Sequence, residues 1–245
     1  PAPLIFWQMR SSKERKHLME QQITVQRKKL IFIVSIGLMA ALVFLGNYLQ
    51  IKIPVALGDV TRIHLGNSMC LLAGLLFGPM TGGLASGIGA GLFDLLDPMY
   101  IMSAPYTFLS KFAMGFLAGY LARQAFPEGK TRLPRLIGAA VCGQLAYIVL
   151  YLFKSYVSLR LVGNAPTVAL VAVLPKLLTS SVNAVAAVVI AVPLTLALRK
   201  ALKQTGFSAL LAKPAENRTA WTPIKVVAVV VLCLAALFLF LYLAL

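Results

Sequence analysis

The sequence predicts an all-α protein, a polytopic bundle of membrane-spanning helices, and three observations support this fold class. Sixty per cent of the 245 residues are hydrophobic and only 12% are charged. Apolar stretches long enough to cross a bilayer recur along the chain, with polar segments between them. The basic residues are concentrated in a few of those polar segments. Together these features predict a core of six membrane spans in residues 30–198 and a seventh span in residues 224–245.

The charge balance indicates a membrane surface rather than nucleic acid as the partner. The chain has 23 basic and 7 acidic residues, a formal net charge of +16. In a membrane protein such an excess is typical of basic loops that stay on the cytoplasmic side and face anionic lipid. We therefore expect the lipid bilayer as a partner and no nucleic acid. The three cysteines lack metal-ligand spacing, and no metal site is predicted.

The N-terminal part of the chain is polar and then apolar. Residues 1–29 are polar and basic, and we expect them to form a cytoplasmic arm with helical character near residues 20–29. Residues 30–49 are the first span, at about the 20 residues that a bilayer crossing requires. The polar residues 50–66 are expected to form an external loop.

The next apolar stretch, residues 66–97, contains glycines at four-residue spacing on both sides of Pro79. They are Gly74, Gly78 and Gly82, followed by Gly83, Gly87 and Gly91. This spacing places glycines on one helix face, where backbones can pack closely in a membrane. Dividing the stretch at residues 78–83 gathers 17 of the 23 basic residues on the side of the N-terminal arm and leaves four on the other. The positive-inside rule therefore predicts two helices and a cytoplasmic turn.

The remaining spans are residues 104–122, 136–156 and 168–198. The last is longer than one crossing needs, so we expect it to tilt, or to kink at Pro175 or Pro193. Residues 199–223 are predicted to be a basic cytoplasmic linker to the seventh span.

Two lysines, Lys111 and Lys176, lie inside apolar spans. A charge at the bilayer centre costs about 2.5–3.5 kcal/mol on insertion scales, so it normally faces a partner or a cavity. One interpretation is that both lysines snorkel or pair with Asp94 or Asp97. The other is that they line a polar pocket that opens to the outside.

Helical spacing favours the pocket, because polar side chains share one face on each of the last three core spans. Aromatic rings beside a few charges suit a small polar ligand with a ring. The predicted substrate-binding residues are Arg62, His64, Asn67, Asp94, Tyr106, Lys111, Tyr147, Tyr151, Lys154, Lys176 and Asn183.

Motifs for catalysis are missing. The sequence contains no G-x-x-x-x-G-K-[ST], H-E-x-x-H or G-x-S-x-G pattern. Asp94 and Asp97 would need further carboxylates nearby to support metal-assisted phosphotransfer. We therefore predict no catalytic residues and no hydrolysis of ATP by this chain.

The run RIHLGNSMCLLAGLLFGPMTGGLASGIGAGLFDLLDP, followed by APYTFLSKFAMGFLAGYLA, resembles the substrate-capture (S) component of energy-coupling factor (ECF) vitamin transporters. The resemblance implies a six-helix protein of the bacterial plasma membrane with a cytoplasmic N-terminus. It implies capture of a water-soluble vitamin or precursor from outside, with no permanent cofactor. It also implies docking on a transmembrane (T) component and two ATPase subunits, the users of ATP. Gly37 and Ala41 are the nearest match to the family's docking face, and the seventh span departs from its pattern.

The candidate ligands are a pyrimidine precursor, cobalamin, pantothenate, folate and riboflavin, and the sequence does not decide among them. Two other functions also stay open. One is a self-sufficient secondary transporter that couples to protons through the lysines and aspartates. The other is a structural membrane scaffold without a ligand.

Overall fold

The computed structural model describes residues 12–55, 60–127, 130–205 and 207–212. Within these ranges the chain forms a two-stranded sheet and six α-helices, so the predicted all-α membrane fold class is confirmed. Residues 224–245, the predicted seventh span, and residues 206 and 213–223 of the predicted linker lie outside the described residues. The elements in chain order are α1 (Ser12–Tyr48), β1 (Gln50–Pro54), β2 (Val60–His64), α2 (Gly66–Phe77), α3 (Pro79–Leu96), α4 (Ala104–Ala122), α5 (Leu133–Leu161) and α6 (Pro166–Gln204).

In the part of the chain that the structure describes, three helices contain stretches long and apolar enough to cross a membrane: Leu18–Tyr48 in α1, Leu133–Leu161 and Pro166–Gln204. α1 begins at Ser12, so the described part of the predicted N-terminal arm is a continuation of the first span. α6 is a single helix of 39 residues with Pro175 and Pro193 inside it. At a rise of about 1.5 Å per residue it is roughly 58 Å long, well beyond a hydrocarbon core of about 30 Å.

The predicted division of the glycine-rich stretch is confirmed, but the break is a single residue. Gly78 has a φ of +95°, a backbone conformation that residues with a Cβ rarely adopt. Pro79 then occupies the first turn of α3, where its fixed φ and missing N–H suit a helix start. Residues 80–83, expected to belong to the turn, are therefore already helical.

The glycines bring three helix backbones into direct contact. A Cβ added at Gly82 would lie 2.3 Å from the Cα of Gly74, and one added at Gly115 would lie 2.3 Å from the carbonyl oxygen of Gly82. Because no side chain fits in these gaps, α2, α3 and α4 pack as a tight three-helix unit. α2 has only 12 residues, and ten of them are buried in the bundle.

Residues 50–54 and 60–64 form two antiparallel strands, which we call the β-hairpin, where residues 50–66 were expected to form an external loop. Strand β1 pairs with β2 so that Lys52 lies opposite Arg62. The hairpin is attached to α6: the hydroxyls of Thr61 and Thr179 are 2.7 Å apart. Asn183 accepts the backbone N–H of His64 at 3.1 Å and donates to the Arg62 carbonyl at 2.8 Å. We call this side of the bundle the hairpin end and the side with Gly78 the turn end.

Candidate ligand-binding site

A cavity of ≈ 160 Å³ lies at the hairpin end of the bundle. β2 contributes to its wall, together with the end of α3 and the neighbouring parts of α4, α5 and α6. Nine of the eleven predicted binding residues line it: Arg62, His64, Asp94, Tyr106, Tyr147, Tyr151, Lys154, Lys176 and Asn183.

The strongest charge pair of the cavity joins the hairpin to α3. Arg62 donates a hydrogen bond to Asp94, and their side chains are 12% and 1% exposed. The Arg62 guanidinium also lies 4.0 Å from the centre of the Tyr100 ring. Burial by itself lowers the pKa of Arg62, but the charge of Asp94 and its hydrogen bond outweigh burial and raise the pKa above its usual value. The other carboxyl oxygen of Asp94, Oδ2, has no hydrogen-bond partner among the described residues. It is therefore an acceptor that a ligand could use.

Asp97, at the end of α3, pairs with the hairpin instead of an intramembrane lysine. Its carboxylate lies 2.7 Å from the ammonium of Lys52, which is 39% exposed. Burial raises the pKa of Asp97, but hydrogen bonds from Lys52 and the Met99 N–H outweigh that effect and lower it below 3.8.

His64 is a neutral member of the cavity wall. Burial lowers its pKa well below 6.5, and the nearby cations of Lys111 and Arg62 lower it further. The imidazole Nδ1 accepts the Gly66 N–H at 3.1 Å, which requires an unprotonated nitrogen. The histidine thus fixes the junction between β2 and α2 without adding charge.

One wall of the cavity is aromatic. The rings of Tyr147 and Tyr151 are stacked one helical turn apart, with centres 5.8 Å apart and planes inclined by 14°. The hydroxyl of Tyr106 donates to the carbonyl of Leu150 and so ties α4 to α5. A flat tyrosine surface of this kind suits a planar ligand ring.

Two lysines supply positive charge beside these rings. The ammonium of Lys154 bonds to the Ser103 hydroxyl at 2.8 Å, and that of Lys176 to the Ser155 hydroxyl at 3.4 Å. Lys176 also lies 5.9 Å from the centre of the Tyr151 ring. Both cations are placed to meet an electron-rich group on a ligand.

The other two predicted residues, Asn67 and Lys111, are not in the cavity wall. Lys111 is 2% exposed and donates to the Asn67 side chain. Asn67 in turn donates to Gln144 at 3.3 Å. The ammonium of Lys111 instead lies 3.7 Å from the centre of the Tyr147 ring, which does line the cavity. That Lys111 contributes to ligand binding stays a prediction.

Several cavity residues were not among the predicted binding residues. Ser155 follows Tyr151 by four residues, so the stripe through Tyr147 could have been extended to it. Ser103 and Tyr100 lie between α3 and α4, where no periodicity marks their direction. Thr61 could be assigned to the cavity only once the pairing of β1 with β2 was known.

The predicted docking residues lie on the outside of α1. Gly37 and Ala41 are both exposed, and a Cβ at Gly37 would meet no atom within 4 Å. Such a surface is open to another helix or to lipid. Within the described residues no group of His, Cys, Asp and Glu side chains could hold a metal ion.

Comparison with known proteins gives two findings. Residues 28–200 match the family model described as "ECF-type riboflavin transporter, S component". The chain is also 31% identical over 108 residues to the "Uncharacterized protein in gap 3'region" of Pyrococcus woesei. That alignment covers 44% of this chain and 66% of the other protein, slightly less than two thirds. No solved structure matches significantly.

Proposed function

The chain belongs to the family of ECF-type riboflavin transporter S components, and from this premise we propose that it captures riboflavin or a closely related vitamin in the cavity at its hairpin end. S components are membrane-embedded substrate-binding subunits of transporters, not enzymes. The proposal adds the ligand, its entry from outside the cell with the N-terminus in the cytoplasm, and delivery by docking on a T component with two ATPase subunits.

The observation that carries the proposal is the convergence of polar and aromatic residues from five separate elements on one cavity. β2, α3, α4, α5 and α6 each contribute at least one of the nine predicted residues. A riboflavin-like ligand has a planar ring for the tyrosine stack and carbonyl groups for the lysines. The unpartnered oxygen of Asp94 can accept a hydrogen bond from a ring N–H.

Ligand entry requires movement. The cavity of ≈ 160 Å³ is smaller than the roughly 300–1,000 Å³ of most small-molecule sites. We propose that the β-hairpin moves outward to admit the ligand and then returns. The bonds that Asn183 and Asp94 make to Arg62 would be remade on closure.

Binding is tested with purified protein by quenching of riboflavin fluorescence, with pantothenate, folate, cobalamin and a pyrimidine precursor compared by calorimetry. Tyr151→Ala should weaken riboflavin binding by about 5- to 150-fold, because a stacked ring contributes about 1–3 kcal/mol by analogy with base stacking. Tyr120→Ala is the matched control, since that tyrosine lies near the turn end of α4. Binding of another member of the panel, but not of riboflavin, would refute the proposed ligand.

Docking is tested by purification of the complex from native membranes. A T component and two ATPases should elute with this chain. Uptake by proteoliposomes that contain this chain alone would instead support a self-sufficient transporter. If the purified protein binds none of the tested ligands and none of these subunits elutes with it, the result would support a structural scaffold.

A further inference from the structure

We propose that Lys111 is a positioning residue of the ligand cavity, whose ammonium holds the Tyr147 ring from behind without touching the ligand. The inference rests on the proposed function in one respect only, namely that the ligand lies against Tyr147. The action of the lysine on the ring does not depend on the ligand.

The ammonium of Lys111 is fixed between two partners. It donates to the side-chain oxygen of Asn67 on one side and faces the Tyr147 ring at 3.7 Å from the ring centre on the other. Asn67 is itself held by Gln144, at 3.3 Å. A chain of contacts therefore runs from α2 and α5 through Lys111 to a single aromatic ring.

That ring belongs to the cavity, whereas the lysine does not. Tyr147 lines the cavity and is stacked on Tyr151, which also lines it. Lys111 is 2% exposed and is absent from the cavity wall. Lys176 differs in this respect, because it reaches the wall itself. The two intramembrane lysines thus have different tasks.

The attraction between the Lys111 ammonium and the Tyr147 ring favours one fixed position of the ring. A cation inside a membrane protein must be compensated by a partner. The attraction between a desolvated ammonium and an aromatic face is among the stronger cation–π contacts. Without the charge, the ring would keep its packing against the hydrophobic core but would lose the attraction that fixes its orientation beside the cavity. A ligand would then have to reorder the ring on binding, and affinity would fall.

The first experiment uses the ligand-free protein. 3-Fluorotyrosine placed at position 147 reports the ring environment by fluorine NMR, and the same label at Tyr106 is the control. Lys111→Met should shift or broaden the signal at 147 and leave that at 106 unchanged. Lys111→Arg should restore the signal, because it returns a cation to the ring face. An unchanged signal at 147 in Lys111→Met would overturn the proposal.

The second experiment is a double-mutant cycle with riboflavin as the probe. Lys111→Met should weaken binding roughly 30-fold, the size of a desolvated cation–π contact. In the Tyr147→Leu background the same change should alter affinity less than twofold, because the lysine acts only through the ring. An equal loss in both backgrounds would mean direct contact with the ligand and would overturn the proposal.

Controls separate this result from misfolding and from failure of the proposed function. Lys154→Met should add independently to Tyr147→Leu, because the two residues lie seven apart on α5, about 10 Å along the axis. Lys111→Gln keeps a hydrogen bond to Asn67 and replaces Lys111→Met if the latter is not monodisperse. If the wild-type protein does not bind riboflavin, the proposed ligand fails, while the fluorine signals still decide the role of Lys111.

Discussion

The ion pair between Arg62 and Asp94 should determine how firmly the β-hairpin is closed over the cavity. The change that tests this is Arg62→Met, which keeps the apolar stem and removes the charge. Asp94 is 1% exposed, so its carboxylate would be left buried without its cation. Loss of one partner of a buried pair costs about 3–5 kcal/mol. Because Arg62 is 12% exposed, we expect about 3 kcal/mol, the lower end of that range.

The hairpin itself contains the matched control. Lys52 also pairs with an aspartate of α3, but it is 39% exposed. A solvent-exposed pair contributes about 0–1 kcal/mol, so Lys52→Met should have little effect. A free energy of 3 kcal/mol corresponds to a change of about 150-fold in the equilibrium between closed and open hairpin. The two variants should therefore differ by about two orders of magnitude.

The assay is hydrogen exchange of the backbone amides, read by mass spectrometry on purified protein. In Arg62→Met the amides of β1 and β2 should exchange much faster, whereas those of α2 should be unaffected, because α2 is buried in the glycine-packed unit. The double variant Arg62→Met/Asp94→Asn removes both charges of this pair, so neither is left uncompensated, and it should regain most of the protection. Equal exchange in Arg62→Met and Lys52→Met, or no recovery in the double variant, would refute the reasoning.

Three further predictions follow from the fold and the site. Burial lowers the pKa of His64 well below 6.5. Between pH 7 and pH 5 the unfolded chain therefore binds a proton that the folded chain does not, and the free energy of unfolding should fall as the pH is lowered. His64→Asn should remove that dependence, and a pH-independent wild type would contradict it. Gly115→Ala should lower the free energy of unfolding by about 3 kcal/mol, the upper end of the usual cost of overpacking, since its Cβ would lie 2.3 Å from a carbonyl oxygen. Gly138→Ala, with no atom within 4 Å, should be neutral or slightly stabilising. Gly37→Leu and Ala41→Leu should prevent purification with the T component while ligand affinity is unchanged, and Gly138→Leu is the control. Retained association would exclude this face as the docking surface.

The hairpin shows where prediction from sequence was incomplete. Residues 50–66 were expected to form an external loop, and the pairing of residues 50–54 with residues 60–64 was missed. A two-stranded sheet is marginal by itself, and here Asn183, more than 100 residues away, holds both Arg62 and His64. No local pattern could reveal such a partner.

The amino-acid sequence by itself determined the helical membrane fold, the turn at Gly78 and nine of the residues around the cavity. These properties are local, because hydropathy, charge asymmetry and helical spacing can be read from residues close together in the chain. Only the tertiary structure decided which of the two intramembrane lysines reaches the cavity. Lys111 and Lys176 look alike in sequence, yet a ring from α5 covers one and leaves the other in the wall. That difference depends on how three helices pack against one another, and helix packing is a property of the assembled bundle.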